Sequence, residues 1–188
     1  MTSAPDLNEI REVRETAEIL CTVDAIEAAI KRIAGMISER FADSNPLCLC
    51  MMNGGLIFTG KLLSLLDFPL QQDYIHASRY RGNTRGSSDL NWIKFPDIPV
   101  RERTVLLIDD VLDEGITLQK VLGYCRDNGA AEIFSVVLAD KLGARKAEGL
   151  QQADFTALEI PQRHVFGHGL DYKSYLRNPP GIFAGPGF

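Results

Sequence analysis

Hydrophobic residues recur along the chain at two spacings, which predict strands alternating with helices. Continuous apolar runs bounded by polar residues are typical of buried strands, and apolar residues three or four positions apart are typical of helices. The predicted strands are "LCLCMM", "QDYIHASRY", "TVLLIDDV", "EIFSVVLADK" and "ADFTALEIP". The predicted helices are 7–17, 23–41, 56–66 and 117–128, with Gly129 as the last helix's stop signal. This alternation predicts an α/β fold with a mostly parallel sheet covered on both faces.

The pattern contains no repeat, low-complexity tract or linker, so residues 1–188 are predicted to form a single domain. With 188 residues, 45% of them hydrophobic, the chain is long enough for a substantial core. Residues 1–17 are predicted to be an N-terminal helical extension. The segment 76–92 contains "RGNTRGSSDLN", which is polar and contains Gly and Ser, and it is predicted to be a mobile loop.

Charge and cysteine content narrow the class of protein. The net charge of −5 gives no general attraction to nucleic acid, so a broad nucleic-acid-binding surface is not expected. No apolar run has membrane-spanning length, and "MTSAPDLNEI" does not have the pattern of a secretory signal. Cys48 and Cys50 alternate within an apolar strand and are interpreted as small hydrophobic residues. We therefore predict a cytoplasmic protein that does not bind membranes.

The end of the third predicted strand, "IDDVLDEGIT", holds four carboxylates within six positions. Alternation along the strand predicts that Asp109 and Asp110 point in different directions and do not share one contact. Gly115 allows a tight turn, and the outward amides of the turn and the following helix make a cradle for phosphate. Carboxylates beside such a cradle could hold ribose hydroxyls, a magnesium ion or a proton. The alternative is a solvated acidic turn that caps the helix.

This stretch resembles the phosphoribosyl-pyrophosphate signature of the type I phosphoribosyltransferases. Three further segments resemble the hypoxanthine-guanine phosphoribosyltransferases, and all four occur in the family's order over roughly residues 18 to 184. These segments are "MMNGG", "VVLADK" and "EIPQRHVFGHGLDYKSYLRNPPGI". The resemblance implies the type I phosphoribosyltransferase fold, with a small hood made by N-terminal and C-terminal segments. Residues 158–188 would be the purine-binding part of this hood.

The resemblance also implies an activity. A 6-oxopurine would attack phosphoribosyl pyrophosphate and release pyrophosphate, so that hypoxanthine or guanine becomes IMP or GMP in purine salvage. Magnesium is the implied cofactor, and a homodimer or homotetramer is the implied assembly. The order of the motifs is far more specific than any one of them.

Acidic residues receive the first set of implied roles. Asp109 and Asp110 would hold the ribose hydroxyls and magnesium, together with Asp171. Asp113 would accept the proton from purine N7 as general base. The 5′-phosphate loop would consist of Asp113, Glu114, Gly115, Ile116 and Thr117.

The remaining implied roles concern the base and the pyrophosphate. Lys141 would donate to the purine 6-oxo group, which an ammonium suits better than it suits the amino group of adenine. His164 would stack on the purine, Val165 would offer a backbone carbonyl, and Arg177 would face the pyrophosphate. Taken alone, Lys141 and Arg177 could equally be solvated surface residues.

The "NGG" turn is expected to be the pyrophosphate loop. Asn53 belongs to it, Gly54 and Gly55 would present backbone amides, and a cis peptide is expected between Met52 and Asn53. Arg79 and Tyr80 would belong to the loop that closes over the site.

Several residues depart from the family pattern. Glu114 replaces Thr or Ser, and a carboxylate about 4 Å from a phosphate charge would be repelled by roughly 4 kcal/mol at intermediate dielectric. Its side chain is therefore predicted to point away from the 5′-phosphate; the alternative is that phosphate binding is weak. Other departures are Asp109 for Glu, Asn53 for a basic residue, Arg79 for Ser, His164 for a larger aromatic residue, and Ile116 for a polar residue.

Two alternatives to a salvage enzyme remain open from sequence. The changes at Glu114 and Ile116 suggest a non-catalytic sensor of nucleotide or phosphoribosyl pyrophosphate. An acidic receiver-type signalling domain would use "IDD" to hold magnesium, but it leaves the C-terminal block unexplained. The retention of Asp113 and Lys141 favours the enzyme over the sensor, because a sensor needs no base for N7.

Overall fold

A computed structural model describes residues 6–79 and 90–185 of the chain. The helices are α1 (Leu7–Thr16), α2 (Val23–Phe41), α3 (Leu56–Leu63) and α4 (Ile116–Asp127). The strands are β1 (Glu18–Cys21), β2 (Leu47–Met51), β3 (Gln71–Arg79), β4 (Leu90–Lys94), β5 (Thr104–Leu112), β6 (Glu132–Lys141), β7 (Phe155–Ile160), β8 (Val165–Phe166) and β9 (Ile182–Ala184). Across these described ranges, no helix combines the length and apolarity needed to span a membrane.

The central sheet has six strands in the order β4-β3-β2-β5-β6-β7. Neighbouring strands are parallel except β3 and β4, which pair antiparallel. Alternate residues of β5 face opposite sides, so Leu106 and Ile108 pack in one core with α2 and α3, and Leu107 packs in a second core with α4. This arrangement confirms the predicted mostly parallel sheet covered on both faces, and explains why its central strands are continuously apolar.

Both thiols of "LCLC" are buried in β2. Burial raises the pKa of Cys48 to about 12, so this thiol stays protonated at neutral pH. The four cysteines of the chain are free. Cys48 and Cys50 therefore pack as small apolar side chains, as predicted.

The predicted hood is a second sheet of three strands in the order β1-β9-β8. β1 pairs antiparallel with β9, which joins the N-terminal and C-terminal segments. Helix α1 packs on this sheet through Val13, which contacts Phe166 and Phe183. The predicted start of the hood at residue 158 is early, because Leu158 and Ile160 still pair with β6 in the central sheet.

The predicted loop 76–92 was drawn too wide. Strand β3 continues to Arg79, and β4 begins at Leu90 and pairs with it. β4 was not predicted, because its short edge-strand pattern in "LNWIK" follows a polar Gly-containing run without a clear boundary. Residues 80–89, which make up the rest of the predicted loop, lie outside the described residues.

Candidate active site

A cavity of ≈ 420 Å³ lies beyond the carboxyl ends of β2, β5 and β6. Ligands of open α/β sheets bind at this edge, where the strand order reverses. Fourteen of the residues predicted to form the site line the cavity: Asn53, Gly54, Asp109, Asp110, Asp113, Glu114, Gly115, Ile116, Thr117, Lys141, His164, Val165, Asp171 and Arg177. The sheet therefore gathers segments that are more than a hundred residues apart in sequence.

Asp109 and Asp110 are two neighbouring, partly buried carboxylates at the cavity. Asp109 Oδ1 accepts a hydrogen bond from the Asp110 amide at 2.9 Å. Both residues line the same cavity, and their use for different ligand contacts, as strand alternation predicts, stays a prediction. Burial, followed by the charge of Asp110, raises the pKa of Asp109 well above its usual value, and burial also raises the pKa of Asp110.

This pair destabilises the ligand-free fold at neutral pH, which gives a first prediction. Because the folded-state pKa of Asp109 lies above the unfolded value, the folded protein keeps a proton that the unfolded chain has lost. The free energy of unfolding therefore falls as the pH rises from the pKa of Asp109 in the unfolded chain to its higher pKa in the folded protein. The variant Asp109→Asn, which mimics the neutral form, is expected to melt roughly 2–4 °C above wild type at pH 8 and with a smaller difference at pH 5.

Thermal denaturation of the ligand-free proteins at both pH values measures this difference. Asp67→Asn is the matched control, since Asp67 is exposed and lies away from the cavity. An unchanged or lower melting temperature for Asp109→Asn at pH 8 would show that the buried pair is not a cost to the fold.

The turn between β5 and α4 is fixed by close packing of its backbone at Gly115 against the backbone of Leu150. Gly115 has φ +80°, and a Cβ built there would lie 2.3 Å from the Leu150 carbonyl oxygen. The Leu150 amide donates to the Gly115 carbonyl at 3.0 Å. Gly115 immediately precedes α4 and makes no side-chain cap, so the first amides of the helix are available to bind an anion at the cavity. Glu114 also lines the cavity, and the direction of its side chain remains a prediction.

Lys141 and Asp113 form an ion pair of 2.8 Å inside the cavity. Lys141 comes from the end of β6 and Asp113 from the turn after β5, so neighbouring parallel strands deliver them to one place. The lysine side chain is only 12% exposed and the aspartate 47%. A proton donor and a proton acceptor therefore stand side by side where a heterocyclic base could contact both.

On the other side of the cavity, Arg177 connects two carboxylates. Its Nη2 donates to Asp171 at 2.7 Å, and its Nη1 lies 4.0 Å from Asp110 Oδ2. The same Nη1 donates to the Gly169 carbonyl. The guanidinium charge partly offsets the burial that raises the pKa of Asp110. This end of the cavity therefore carries a fixed cation beside the acidic pair.

The loop after β2 approaches the acidic pair closely. A Cβ at Gly54 would lie 2.1 Å from Asp110 Oδ2, so only glycine fits there. The Met52–Asn53 peptide is cis, as predicted. The prediction for Gly55 was wrong: its amide donates to the Met51 carbonyl at 2.9 Å and is not offered to a ligand. Gly55 instead allows close packing, because a Cβ there would lie 2.9 Å from the Ile108 carbonyl oxygen.

Comparison with known proteins assigns the chain to a protein family. Residues 18–173 match the phosphoribosyl transferase domain family. The hypoxanthine-guanine phosphoribosyltransferase of Bacillus subtilis is 33% identical over 165 residues, which cover 88% of this chain and 91% of that protein. This chain belongs to the hypoxanthine-guanine phosphoribosyltransferase family.

Two further relatives agree with this assignment. The hypoxanthine-guanine-xanthine phosphoribosyltransferase of Tritrichomonas foetus is 30% identical over 182 residues, covering 97% of this chain and 95% of that protein. The crystal structure of a hypoxanthine phosphoribosyltransferase from Staphylococcus aureus superposes with a TM-score of 0.85 over 98% of this chain and 96% of that one, at 24% identity, which supports the fold. The phosphoribosyltransferase fold is thus confirmed, and a receiver-type domain is excluded.

Arg145 is a residue of this phosphoribosyltransferase site that was missed from sequence. Its Nη1 donates to the carbonyls of Leu112 at 2.8 Å and Lys141 at 3.2 Å and also to that of Asp113, while Nη2 pairs with Asp140. With its side chain only 14% exposed, it ties the Asp113 turn to the end of β6. From sequence, an arginine four residues after a strand is interpreted as a surface residue. The backbone carbonyls that Arg145 binds cannot be recognised from the types of their residues.

The predicted purine-contacting residues lie at the hood side of this phosphoribosyltransferase. Val165 is buried in β8 and pairs with Ala184, and the preceding His164 is exposed at the cavity. The His164 carbonyl accepts from the Gly185 amide at 3.2 Å, which fixes the backbone on which both residues sit. Arg79 ends β3, and its side chain and Tyr80 lie outside the described residues.

The donor set of this phosphoribosyltransferase fits magnesium shared with a substrate. The described ranges contain no group of three or more His, Cys, Asp or Glu side chains that could hold a metal by themselves. Magnesium is usually bound by one or two carboxylates together with water and substrate phosphates, and a cation would also relieve the repulsion within the Asp109–Asp110 pair. Oxygen donors from this pair fit such a shared ion, and Asp171 lines the same cavity.

Proposed function

We propose that this protein transfers the phosphoribosyl group of phosphoribosyl pyrophosphate to hypoxanthine or guanine, forming IMP or GMP and pyrophosphate in purine salvage. The observation that carries the proposal is the ion pair of Lys141 with Asp113, which lies in one cavity with an uncapped helix N-terminus and an acidic pair. These features supply the donor and acceptor for a 6-oxopurine, an anion site and acceptors for ribose hydroxyls. The relatives named for this activity support the same reaction.

In the proposed reaction, purine N9 forms a bond to C1′ of the ribose while the bond from C1′ to the pyrophosphate oxygen breaks. The electron pair of that bond leaves with pyrophosphate, and the proton on N7 passes to Asp113. The reacting carbon acquires oxocarbenium character, so alignment of base and sugar and the placement of charge lower the barrier. Asp113 acts as the general base.

The sugar phosphate would be held from two sides. The amides of Gly115 and the start of α4 would bind the 5′-phosphate, with Glu114, Ile116 and Thr117 completing the loop. Asp109 and Asp110 would accept hydrogen bonds from the ribose hydroxyls. Magnesium, held by this pair and Asp171 with substrate oxygens, would neutralise charge on the leaving pyrophosphate.

The remaining roles complete the proposal for the base and the pyrophosphate. Arg177, Asn53 and the amide of Gly54 would face the pyrophosphate. His164 would stack on the purine, while the Val165 carbonyl would meet the base edge. Arg79 and Tyr80 would belong to a loop that excludes water during the reaction.

The test is a spectrophotometric assay with phosphoribosyl pyrophosphate, magnesium and each of hypoxanthine, guanine, xanthine and adenine. Turnover of 6-oxopurines but not of adenine is the expected result. Magnesium-dependent binding of nucleotide without pyrophosphate release would instead support the sensor alternative, which the named relatives do not favour.

The same assay tests Lys141 as the residue that selects the 6-oxo group. In Lys141→Gln the amide can both donate and accept, so kcat/KM for hypoxanthine is expected to fall about 10- to 100-fold and discrimination against adenine to shrink. Lys31→Gln, an exposed lysine on α2, is the matched control. Unchanged discrimination in Lys141→Gln would assign purine selection to another group.

The assembly and location are part of the proposal as well. Tyr74, Ile93 and Phe95 expose 42%, 55% and 45% of their surface on or beside β3 and the edge strand β4, which supports burial in a homodimer or homotetramer. Four free cysteines suit a reducing cytoplasm.

A further inference from the structure

Helix α1 precedes the part of the chain that matches the family, which begins at residue 18. It nevertheless packs on the hood: Val13 is buried against Phe166 and Phe183, and the Arg14 guanidinium lies 4.2 Å from the centre of the Phe183 ring. The helix is thus docked by an apolar contact. A role in stability would need nothing more than this contact.

Glu9, one helical turn before Val13, makes a second and polar contact. Its Oε1 accepts a hydrogen bond from the Tyr172 hydroxyl at 2.7 Å and from the Lys173 ammonium at 2.5 Å. Lys173, and then Tyr172, lower the pKa of Glu9, so its carboxylate is charged at neutral pH. Both partners lie in the segment that follows Asp171, at the site.

That segment, residues 171–177, has an unusual backbone that requires support. Lys173, Ser174 and Leu176 have φ of 49°, 70° and 59°, values that residues other than glycine rarely adopt. Within the segment, the Ser174 amide donates to Asp171 Oδ2 at 2.7 Å. Such conformations persist where surrounding contacts fix them, and Glu9 supplies contacts from outside the segment.

The other end of this segment lies in the cavity. Asp171 is bonded to Arg177, and Arg177 reaches toward Asp110. The backbone amide of Gly169 also donates a hydrogen bond to the Arg177 carbonyl at 2.9 Å. A displacement of the 171–177 segment would therefore move the fixed cation away from the acidic pair.

We infer that Glu9 is a positioning residue for the pyrophosphate end of the cavity. By holding Tyr172 and Lys173, it keeps the 171–177 segment in the conformation that presents Asp171 and Arg177 to the substrate. The assignment to pyrophosphate rests on the proposed function, whereas the ordering of the segment does not. Helix α1 thus contributes to substrate binding although it lies before residues 18–173, the segment that matches the phosphoribosyl transferase domain.

The test compares Glu9→Gln with Glu12→Gln in the full-length, ligand-free protein. Glu12 lies on the same helix and is exposed, so both variants make the same change of charge. Hydrogen exchange of the amides in residues 171–177 is measured first. Glu9→Gln is expected to speed their exchange roughly tenfold, as the loss of a charged hydrogen bond predicts, and Glu12→Gln to leave it unchanged.

Kinetics and equilibrium binding then separate positioning from general stability. Glu9→Gln is expected to raise the KM for phosphoribosyl pyrophosphate about three- to tenfold, and to weaken magnesium pyrophosphate binding by calorimetry by a similar factor. The purine KM and kcat should stay within about twofold, because Lys141 and Asp113 are held by other contacts. Tyr172→Phe removes only one donor and should show a smaller shift of the same kind.

The outcomes separate this inference from the proposed function. Unchanged exchange in both Glu9→Gln and Tyr172→Phe would overturn the positioning role, whether or not the enzyme turns over. Equal changes in both KM values, accompanied by a lower melting temperature, would also overturn it in favour of a purely structural role. Absence of turnover in the wild type would refute the proposed function, while faster exchange in Glu9→Gln would still show that Glu9 orders the segment.

Discussion

Replacing Asp113 by asparagine is expected to lower kcat for IMP and GMP formation by about 10²- to 10⁴-fold, the range typical of a lost general base. An amide of the same shape cannot accept the N7 proton, and Lys141 loses the carboxylate that lies 2.8 Å from its Nζ. The fold should survive, because Arg145 holds this turn through backbone carbonyls and not through the Asp113 side chain. The measurement is kcat at saturating phosphoribosyl pyrophosphate with hypoxanthine and with guanine.

The exposed Asp67 provides the control for this prediction as well, and Asp67→Asn should keep wild-type kcat. A melting temperature of Asp113→Asn close to that of wild type would show that the loss arises in the chemical step. Turnover within a few-fold of wild type would contradict the proposal and would mean that the N7 proton leaves by another route.

Replacing Gly115 by alanine is expected to destabilise the protein by at least about 2 kcal/mol and to raise the KM for phosphoribosyl pyrophosphate strongly. The new Cβ would lie 2.3 Å from the Leu150 carbonyl oxygen, a backbone atom that cannot rotate away, at a residue with φ +80°. Relief of this clash must move the turn that carries the first amides of α4. Chemical denaturation and steady-state kinetics measure the two effects.

Gly123→Ala gives a matched control on the same helix. Nothing lies within 4 Å of a Cβ built at Gly123, which is in the interior of α4. The free energy of unfolding of Gly123→Ala should therefore rise slightly, by roughly 0.4–1 kcal/mol, with kcat and the KM for phosphoribosyl pyrophosphate unchanged. Similar behaviour of the two alanine variants would refute the view that this turn is fixed by its contact with Leu150.

These two residues show how the site is held in place before substrate arrives. Arg145 fixes Asp113 by donating to its backbone carbonyl. The Leu150 amide fixes the turn before α4 by donating to the Gly115 carbonyl. Asp109 and Asp110 lie beside them, although burial and the repulsion between the two carboxylates make their charged forms unfavourable. Functional groups that are costly to the ligand-free fold are expected where a charged substrate and a cation later offset the cost.

The sequence by itself determined the fold class and most of the residues at the cavity. Continuous apolar runs require strands buried on both faces, so the layered parallel sheet followed from "LCLCMM" and "TVLLIDDV". Because parallel strands end at one edge, the unusual residues after each run had to meet there, and Asp113 and Lys141 do. Only the family resemblance assigned roles to Lys141, to the "NGG" turn and to His164, Val165, Asp171 and Arg177 of the C-terminal block.

Tertiary structure alone decided the contacts between loops. The clamp by Arg145, the bond of the Leu150 amide to Gly115 and the internal use of the Gly55 amide depend on where backbone atoms meet in the folded chain. Backbone carbonyls and amides are the same at every residue, so such partners leave no mark in a side-chain pattern. The pattern likewise predicted a helix near residue 9 without revealing that Glu9 would meet Tyr172 across 163 positions of sequence, because the packing of α1 on the hood decides that contact.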